Sequence, residues 1–405
     1  MKGRSPALAF SSAHSIITYI MRTFIKFLLV LPAVFAAPTL EPETIAGSYI
    51  FKLRKGSALG PVSKAVSNHL KIKPARVYSL GDFQAFHIKG VRSTTGLLEK
   101  FGQIESIEPD AKVYASKLET QTSAPWGLGR ISHSKNGSTE YVYDGTAGVG
   151  TFAYVVDTGI RTTHKEFGGR AVWGSNHVDD NNTDGNGHGT HVAGTIGSKT
   201  YGVAKNTTLV AVKVLDATGA GAISGVIEGV IWAANDMVAR NRTGKAVANL
   251  SLGGAASASL DKAVAAAIKQ GLFFAVAAGN SAILASMVSP ARVPEACTVG
   301  ATDQYDNLAS FSNWGPSVDI HAPGVNVLST SNQGDTATAT LSGTSMAAPH
   351  VAGLGAYFLA LPGNKPTPDE LCKHIKDRST KNVINTTLAI GLVTTKDLAY
   401  NGSGK

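Results

Sequence analysis

An acid, a base and a hydroxyl stand far apart in this sequence, each in a setting that would present its side chain. Asp157 closes the apolar run Ala153–Val156 and leads into Thr158-Gly159. An ionised carboxylate at the end of a buried strand needs a hydrogen-bonding or cationic partner. His188 lies in GNGHGTHVAGT, between Gly187 and Gly189, whose bare backbone would let a substrate approach the ring. Ser345 lies in SGTSMAAPHVAGLGAYFLAL, an apolar, helix-like stretch. Pro349 suits a first helical turn, where its missing N–H costs little. Ser345 would then sit at a helix N-terminus, where outward-facing N–H groups favour developing negative charge. These three residues have the parts of a nucleophilic relay. The serine attacks a carbonyl carbon, the histidine takes and returns the proton, and the aspartate fixes the imidazole tautomer. Asn280, at the end of AVAAGN, can donate its carboxamide to the oxyanion beside the N–H of Ser345.

Each residue alone is weak evidence. A strand-terminal Asp is more often a turn former, and a Ser at a helix start is usually a cap. The joint occurrence carries the chemistry. His191, three residues after His188, suggests zinc only superficially, because the HExxH spacing and its Glu are absent. His191, His164 and His350 are expected to be structural.

The elements that must hold these residues alternate. Ala153–Val156, Leu209–Leu215, Ala246–Leu252 and Leu272–Ala277 are strand-like, while Ile223–Ala234 and Leu260–Ile268 have helical spacing. Alternation of this kind predicts an α/β fold, a mostly parallel sheet covered on both faces, with functional residues at the carboxyl ends of strands. Three strands end in polar or Gly-rich sequence, at Asp157, at Ser251 and at Gly279-Asn280. Upstream, about residues 45–114, strand and helix signals follow in the order β-α-β-α-β, which suggests a small ferredoxin-like α+β module. A polar stretch, Ser116–Ser123, separates it from the large domain.

From Met21 the chain reads MRTFIKFLLVLPAVFAAP, a positive start, a short apolar core and small residues. That is the pattern of a secretory signal peptide, too short for a membrane span. Residues 1–36 are therefore assigned to a signal region, with Met21 the natural start, 37–118 to the module and 119–405 to the large domain. The formal net charge of +9 lies wholly in front. Residues 1–36 hold four Lys/Arg and no acid, and 37–118 hold twelve against seven, leaving twenty-one of each sign from Glu119 onward. A neutral large domain removes the main support for nucleic-acid binding. With two cysteines, Cys297 and Cys372, a disulfide-dense scaffold is excluded. They make either one bridge or two buried thiols. Of the Asn-x-Ser/Thr triplets, Asn249 lies in an apolar strand and is expected to be buried and unmodified; those at Asn136, Asn181, Asn206, Asn241, Asn385 and Asn401 permit glycosylation.

The motifs VVDTGI, GHGTHVAGT, SLGG, AAGN and SGTSMAAPHVAG resemble those of the subtilisin superfamily, and the order Asp, His, Ser is its order. APWGLGRIS, KTYGVAKN and CTVGATD are similar to the proteinase K family, of the fungal secreted type, over residues 119 to the C-terminus. The resemblance implies a three-layer sandwich and a monomeric, secreted serine endopeptidase that acts on protein or peptide substrates. It implies that the module is an inhibitor-type propeptide serving as folding aid and temporary inhibitor. It implies no cofactor for catalysis and no stable membrane association. Carried over by motif, Asp157, His188 and Ser345 would be catalytic, with Asn280 in the oxyanion hole. Gly219, Ala220 and Gly221 would flank the peptide on one side, and Ser251, Leu252 and Gly253 on the other, by strand addition. Ala277 and Gly279 would line the S1 pocket, where no acid awaits Lys or Arg, so apolar or aromatic P1 side chains are expected. Ile223 would lie near S4, in place of the family's common aromatic. A structural calcium would be held by the carbonyls of Pro294 and Ala296 and the carboxylate of Asp319. A second family calcium site is not expected, since Asn382-Val383 offers no acid. Cys297 and Cys372 match family cysteines that pair. The alternatives are an esterase or acyl transferase using the same triad, and a non-catalytic binding protein on a protease scaffold.

Overall fold

The computed structural model describes residues 44–111, 118–361, 366–387 and 393–404. The signal region and the part of the polar stretch before Leu118 lie outside the described residues. Among the described residues, no helix is long and apolar enough to cross a membrane.

The front module runs β1 (Thr44–Leu53), α1 (Leu59–Leu70), β2 (Arg76–Leu80), β3 (Phe83–Lys89), α2 (Leu97–Lys100) and β4 (Ile104–Ala111). Its antiparallel sheet has the order β2-β3-β1-β4, the ferredoxin-like arrangement. Phe51 and Phe86 lie opposite each other in register and stack at 5.0 Å, at the centre of a core with Leu53, Val66, Ile88 and Ile104. The sequence pattern missed β2. This edge strand is exposed at nearly every position, so it has no buried face to leave an alternation.

The large domain begins with a ribbon of β5 (Leu118–Gln121) and β6 (Tyr141–Asp144), with α3 (Trp126–Ile131) between them. Of the expected polar linker, Leu118–Gln121 is therefore a paired strand. Next come β7 (Phe152–Asp157), β8 (Ala171–Asn176), α4 (His188–Gly197), β9 (Thr208–Lys213), α5 (Ile223–Ala239) and β10 (Ala246–Leu250). β11 (Gly254–Ala255), α6 (Ala258–Lys269), β12 (Phe273–Ala277), β13 (Val288–Ser289), β14 (Cys297–Thr302) and β15 (Ile320–Pro323) follow. β16 (Val327–Thr330), β17 (Thr338–Leu341), α7 (Thr344–Ala360) and α8 (Pro368–Arg378) complete the domain.

Seven strands form one parallel sheet in the order β15-β14-β12-β10-β7-β9-β8. Both faces are buried, and alternate residues of each strand serve different layers. Ala153, Val155, Leu209 and Ala211 pack with α4 and α7, through Val192, Ile196, Val351 and Leu354. Tyr154, Val156, Val210 and Val212 pack with α5 and α6, through Val226, Val230, Val264 and Ile268. This is the three-layer sandwich that the alternating pattern implies. The chain reaches β8 and β9 on one side of β7, then crosses to β10 on the other. The crevice at such a switch lies at the carboxyl ends of the central strands. There β7 ends on Asp157, β10 on Leu250-Ser251 and β12 on Ala277, just before Gly279.

Candidate active site

Asp157 is fully buried at the end of β7. Its Oδ1 accepts from His188 Nδ1 at 2.7 Å and from Thr158 N at 2.8 Å. His188 is the first residue of α4 and its side chain keeps about a quarter of its surface exposed. Burial of the ring opposes protonation, but Asp157, by charge and hydrogen bond, and Asp184 outweigh it. The net effect raises the imidazole above its ordinary 6.5.

The glycines beside His188 are also demanded by close packing within the protein. A Cβ on Gly189 would stand 2.2 Å from Gly159 O, so α4 seats directly on the turn after Asp157. Gly187 takes φ 103°, and a Cβ there would meet Asn332 Oδ1 at 2.6 Å. Asp184 organises the same corner. Its Oδ1 accepts from Thr158 Oγ1 and Gly187 N, each at 2.8 Å, and its Oδ2 from Thr190 N at 2.9 Å. Thr158 Oγ1 in turn accepts from Gly189 N at 2.9 Å. The loops carrying acid and base are thereby locked together. Asp184 went unnoticed in the sequence because Asp184-Gly185 has the signature of an ordinary turn.

Ser345 is the second residue of α7, with its N–H among the free donors of that helix end. The side chain of Asn280 is exposed, and its Oδ1 is taken by Thr344 N and Thr344 Oγ1, both at 2.8 Å. That anchoring leaves Nδ2 for the cleft. A Cβ on Gly343 would stand 3.4 Å from Asn280 Nδ2 and 3.6 Å from Ser345 N. Both nitrogens therefore border the space that the missing side chain of Gly343 leaves open. Asn313 shapes the loop beneath, donating to Ala278 O at 2.8 Å and accepting from Ser281 N at 3.0 Å.

Pro349 lies inside α7, not in its first turn, because the helix starts at Thr344. A proline there leaves the carbonyl four residues earlier without its helical donor. That carbonyl belongs to Ser345, and Ser251 Oγ donates to it at 2.7 Å. Ser345 Oγ in turn donates to Ser251 O at 3.1 Å.

The cleft has two lobes that meet at Leu252, Gly253 and Gly254. One, of about 500 Å³, is walled by Gly219, Ala220 and Gly221 opposite Ser251, Leu252 and Gly253, with Ile223 and His188 at its edge. The other, of about 400 Å³, is lined by Ala277, Gly279, Asn280 and Ser345, with Ile283, Met287 and Val288, and holds no charged side chain. Sequence expectation and structure thus bring Asp157, His188, Ser345, Asn280 and both backbone walls to one crevice.

The remaining expected sites lie elsewhere. Cys297 and Cys372 form a disulfide between the start of β14 and α8. His191, His164 and His350 are buried and bonded to backbone groups, His191 through Nε2 to Val327 O at 3.0 Å. Asn249 is fully buried. Asn401, expected to permit a glycan, is buried too, and its Nδ2 donates to Val142 O at 2.7 Å. Asp319, expected as a calcium ligand, has both oxygens engaged by protein donors, Lys376 Nζ at 2.8 Å and Thr298 N at 3.0 Å.

Residues 148–402 match the model of the Subtilase family. The chain is 47% identical over 390 residues to a cuticle-degrading protease of Metarhizium anisopliae, covering 93% of this chain and 98% of that one. It is 46% identical over 388 residues to a subtilisin-like serine protease of Sarocladium strictum, with the same coverage. A solved cold-adapted subtilisin-like serine proteinase is 46% identical and superposes with a TM-score of 0.64, over 69% of this chain and 99% of that one. With its crevice, its sheet and these relatives in agreement, the chain belongs to the subtilase family and is a serine endopeptidase.

Proposed function

We propose that Asp157, His188 and Ser345 perform the hydrolysis, with Asn280 Nδ2 and the Ser345 N–H holding the oxyanion. The observation that carries this reading is the 2.7 Å bond from His188 Nδ1 to buried Asp157, in the same crevice as the two nitrogens that border the space beside Gly343. Ser345 Oγ bonds to the scissile carbonyl carbon while its proton passes to His188 Nε2. The new oxyanion accepts from the two donors. Collapse breaks the C–N bond, and the amine leaves with the proton from His188. Water then repeats the sequence on the acyl-enzyme and restores Ser345. Asp157 holds the tautomer that leaves Nε2 free and stabilises the imidazolium. No cofactor takes part.

Gly219–Gly221 and Ser251–Gly253 clasp the substrate backbone between them. The uncharged lobe around Ala277 and Gly279 favours apolar or aromatic P1 side chains. The segment 37–118 acts as folding aid and inhibitor until it is cut near residue 119, and residues 1–36 direct the chain out of the cell. The ferredoxin-like topology of the module and the short apolar run after Met21 support this course.

The test compares the secreted chain with Ser345→Ala on a denatured protein, read by mass spectrometry. The parent should cut after apolar residues, begin near residue 119 and take a fluorophosphonate on Ser345. The variant should do none of these. A processed parent that resists the label overturns the catalytic assignment; equal processing of both chains overturns self-maturation.

A further inference from the structure

The expected calcium ligands do not fit a divalent ion as they stand. Asp319 is the sole carboxylate among Pro294, Ala296 and Asp319, and a lysine ammonium occupies one of its oxygens at 2.8 Å. The other oxygen is capped by Thr298 N. Lys376 is held there by its helix. It lies one turn after Cys372 on α8, on the same face. Cys372 is bonded to Cys297, the residue before Thr298. Both sulfurs and a carboxylate oxygen of Asp319 lie within 4.8 Å of one another. The thiols are spent on the disulfide, so this cluster offers no sulfur ligand to a metal. It does anchor, beside the carboxylate, the helix that carries the lysine. The pair is electrically complete with one positive charge, and a calcium ion entering at Asp319 must first displace the ammonium.

We propose that Lys376 is a built-in substitute for the cation at Asp319, which makes this locus indifferent to calcium. The pair is partly exposed, with side-chain exposures of 43% for Lys376 and 23% for Asp319, so it is no large source of stability by itself. Its consequence is the exclusion of metal. A protein that binds calcium at high occupancy when folded, and not when unfolded, melts higher in its presence. This chain has no such response to give through Asp319.

The experiment uses mature enzyme inactivated with phenylmethylsulfonyl fluoride, melted in excess calcium chloride and in excess EGTA. Four proteins are compared: the parent, Lys376→Met, Asp319→Asn and the double variant. The parent and Asp319→Asn should respond to calcium equally, within about 1 °C. Lys376→Met should gain a calcium-dependent rise of roughly 5–10 °C, which Asp319→Asn abolishes in the double variant. Titration of calcium chloride by calorimetry should show the same extra site in Lys376→Met alone. A response in the parent that Asp319→Asn removes overturns the proposal. So does a Lys376→Met protein whose response equals that of the parent, since lysine would then not be what keeps the ion out.

Discussion

Ser251 and Ser345 exchange hydrogen bonds across the crevice, Ser251 Oγ to Ser345 O at 2.7 Å and Ser345 Oγ to Ser251 O at 3.1 Å. The first bond fills the vacancy that Pro349 makes in α7. Asn249 Nδ2 steadies it from below, donating to Ser251 Oγ at 2.9 Å. The end of β10 is thus tied to the first turn of the helix that carries Ser345.

Removing the tie should misplace the serine. Ser251→Ala leaves the Ser345 carbonyl without a donor, at a cost of about 1–3 kcal/mol. Felt as misalignment, this predicts a fall in kcat of roughly tenfold with a smaller change in KM. Pro349→Ala restores a helical N–H to the same carbonyl, so Ser251→Ala should cost less in that background. Steady-state kinetics of the four proteins give the coupling. Equal losses in both backgrounds would show that proline and serine are unconnected.

In its proposed oxyanion role, Asn280 would bear on the transition state rather than on the bound substrate. Asn280→Leu should lower kcat by about 10²–10³ and leave KM nearly unchanged. Because Asn280 Oδ1 also anchors Thr344 N, Thr344→Val should produce a weaker version of the same defect. A change confined to KM in Asn280→Leu would contradict the oxyanion role.

Two pH effects follow from different histidines. In its proposed role His188 is a base only when neutral, and Asp157 and Asp184 raise it above 6.5 against the effect of burial. The acidic limb of kcat/KM should therefore fall through an apparent pKa above 6.5. A limb centred below 6.5 would assign the titration to another group.

The second effect is on stability. Burial pushes His191, His321 and His350 down to about 4. Above pH 6.5 these rings are neutral in both the folded and unfolded chain, and the fold loses nothing. Between 6.5 and about 4 the unfolded chain takes up protons that the fold refuses. Stability should therefore drop with falling pH, by up to about 1.4 kcal/mol per unit for each ring. His321 is the clearest case, since neither ring nitrogen has a hydrogen-bond partner among the described residues. Urea midpoints of the inactivated enzyme from pH 7 to 4.5 measure the slope, which His321→Leu should flatten.

The disulfide closes a loop across a sequence separation of 75 residues. In the chain-entropy model its loss costs about 4 kcal/mol. Cys372→Ser should melt well below the parent, and a reductant should lower the parent toward the variant. A reductant without effect on the parent's melting would contradict a structural bridge.

Much of the frame was legible because burial leaves a local trace. The apolar runs that end at Asp157, Ser251 and Ala277 are strands buried on both faces, and their polar ends mark the crevice. What escaped depends on partners distant in sequence. Asp184 sits in an ordinary turn signature, and Thr158, its partner, lies 26 residues away. Lys376 meets Asp319 across 57 residues, and no local spacing announces the pair. The strand-like run Leu209–Leu215 overshot β9 for a similar reason. Beyond Lys213 the chain turns: Val214 N and Leu215 N both donate to Asp157 O, and the buried Lys213 Nζ bonds Thr158 O at 2.9 Å and Leu215 O at 2.8 Å. Pro349 was misplaced because the sequence shows where a proline is tolerated, not which donor elsewhere compensates it.

The triplet Asn249-Leu250-Ser251 is a glycan acceptor by composition, yet its asparagine is wholly enclosed and its serine props Ser345. In a compartment that attaches sugars to nascent chains, those two fates compete in time. A glycan added before β10 is covered would wedge the central sheet open. On the proposed secretory route, this acceptor stays bare only when β10 finds β7 and β12 before a sugar reaches Asn249.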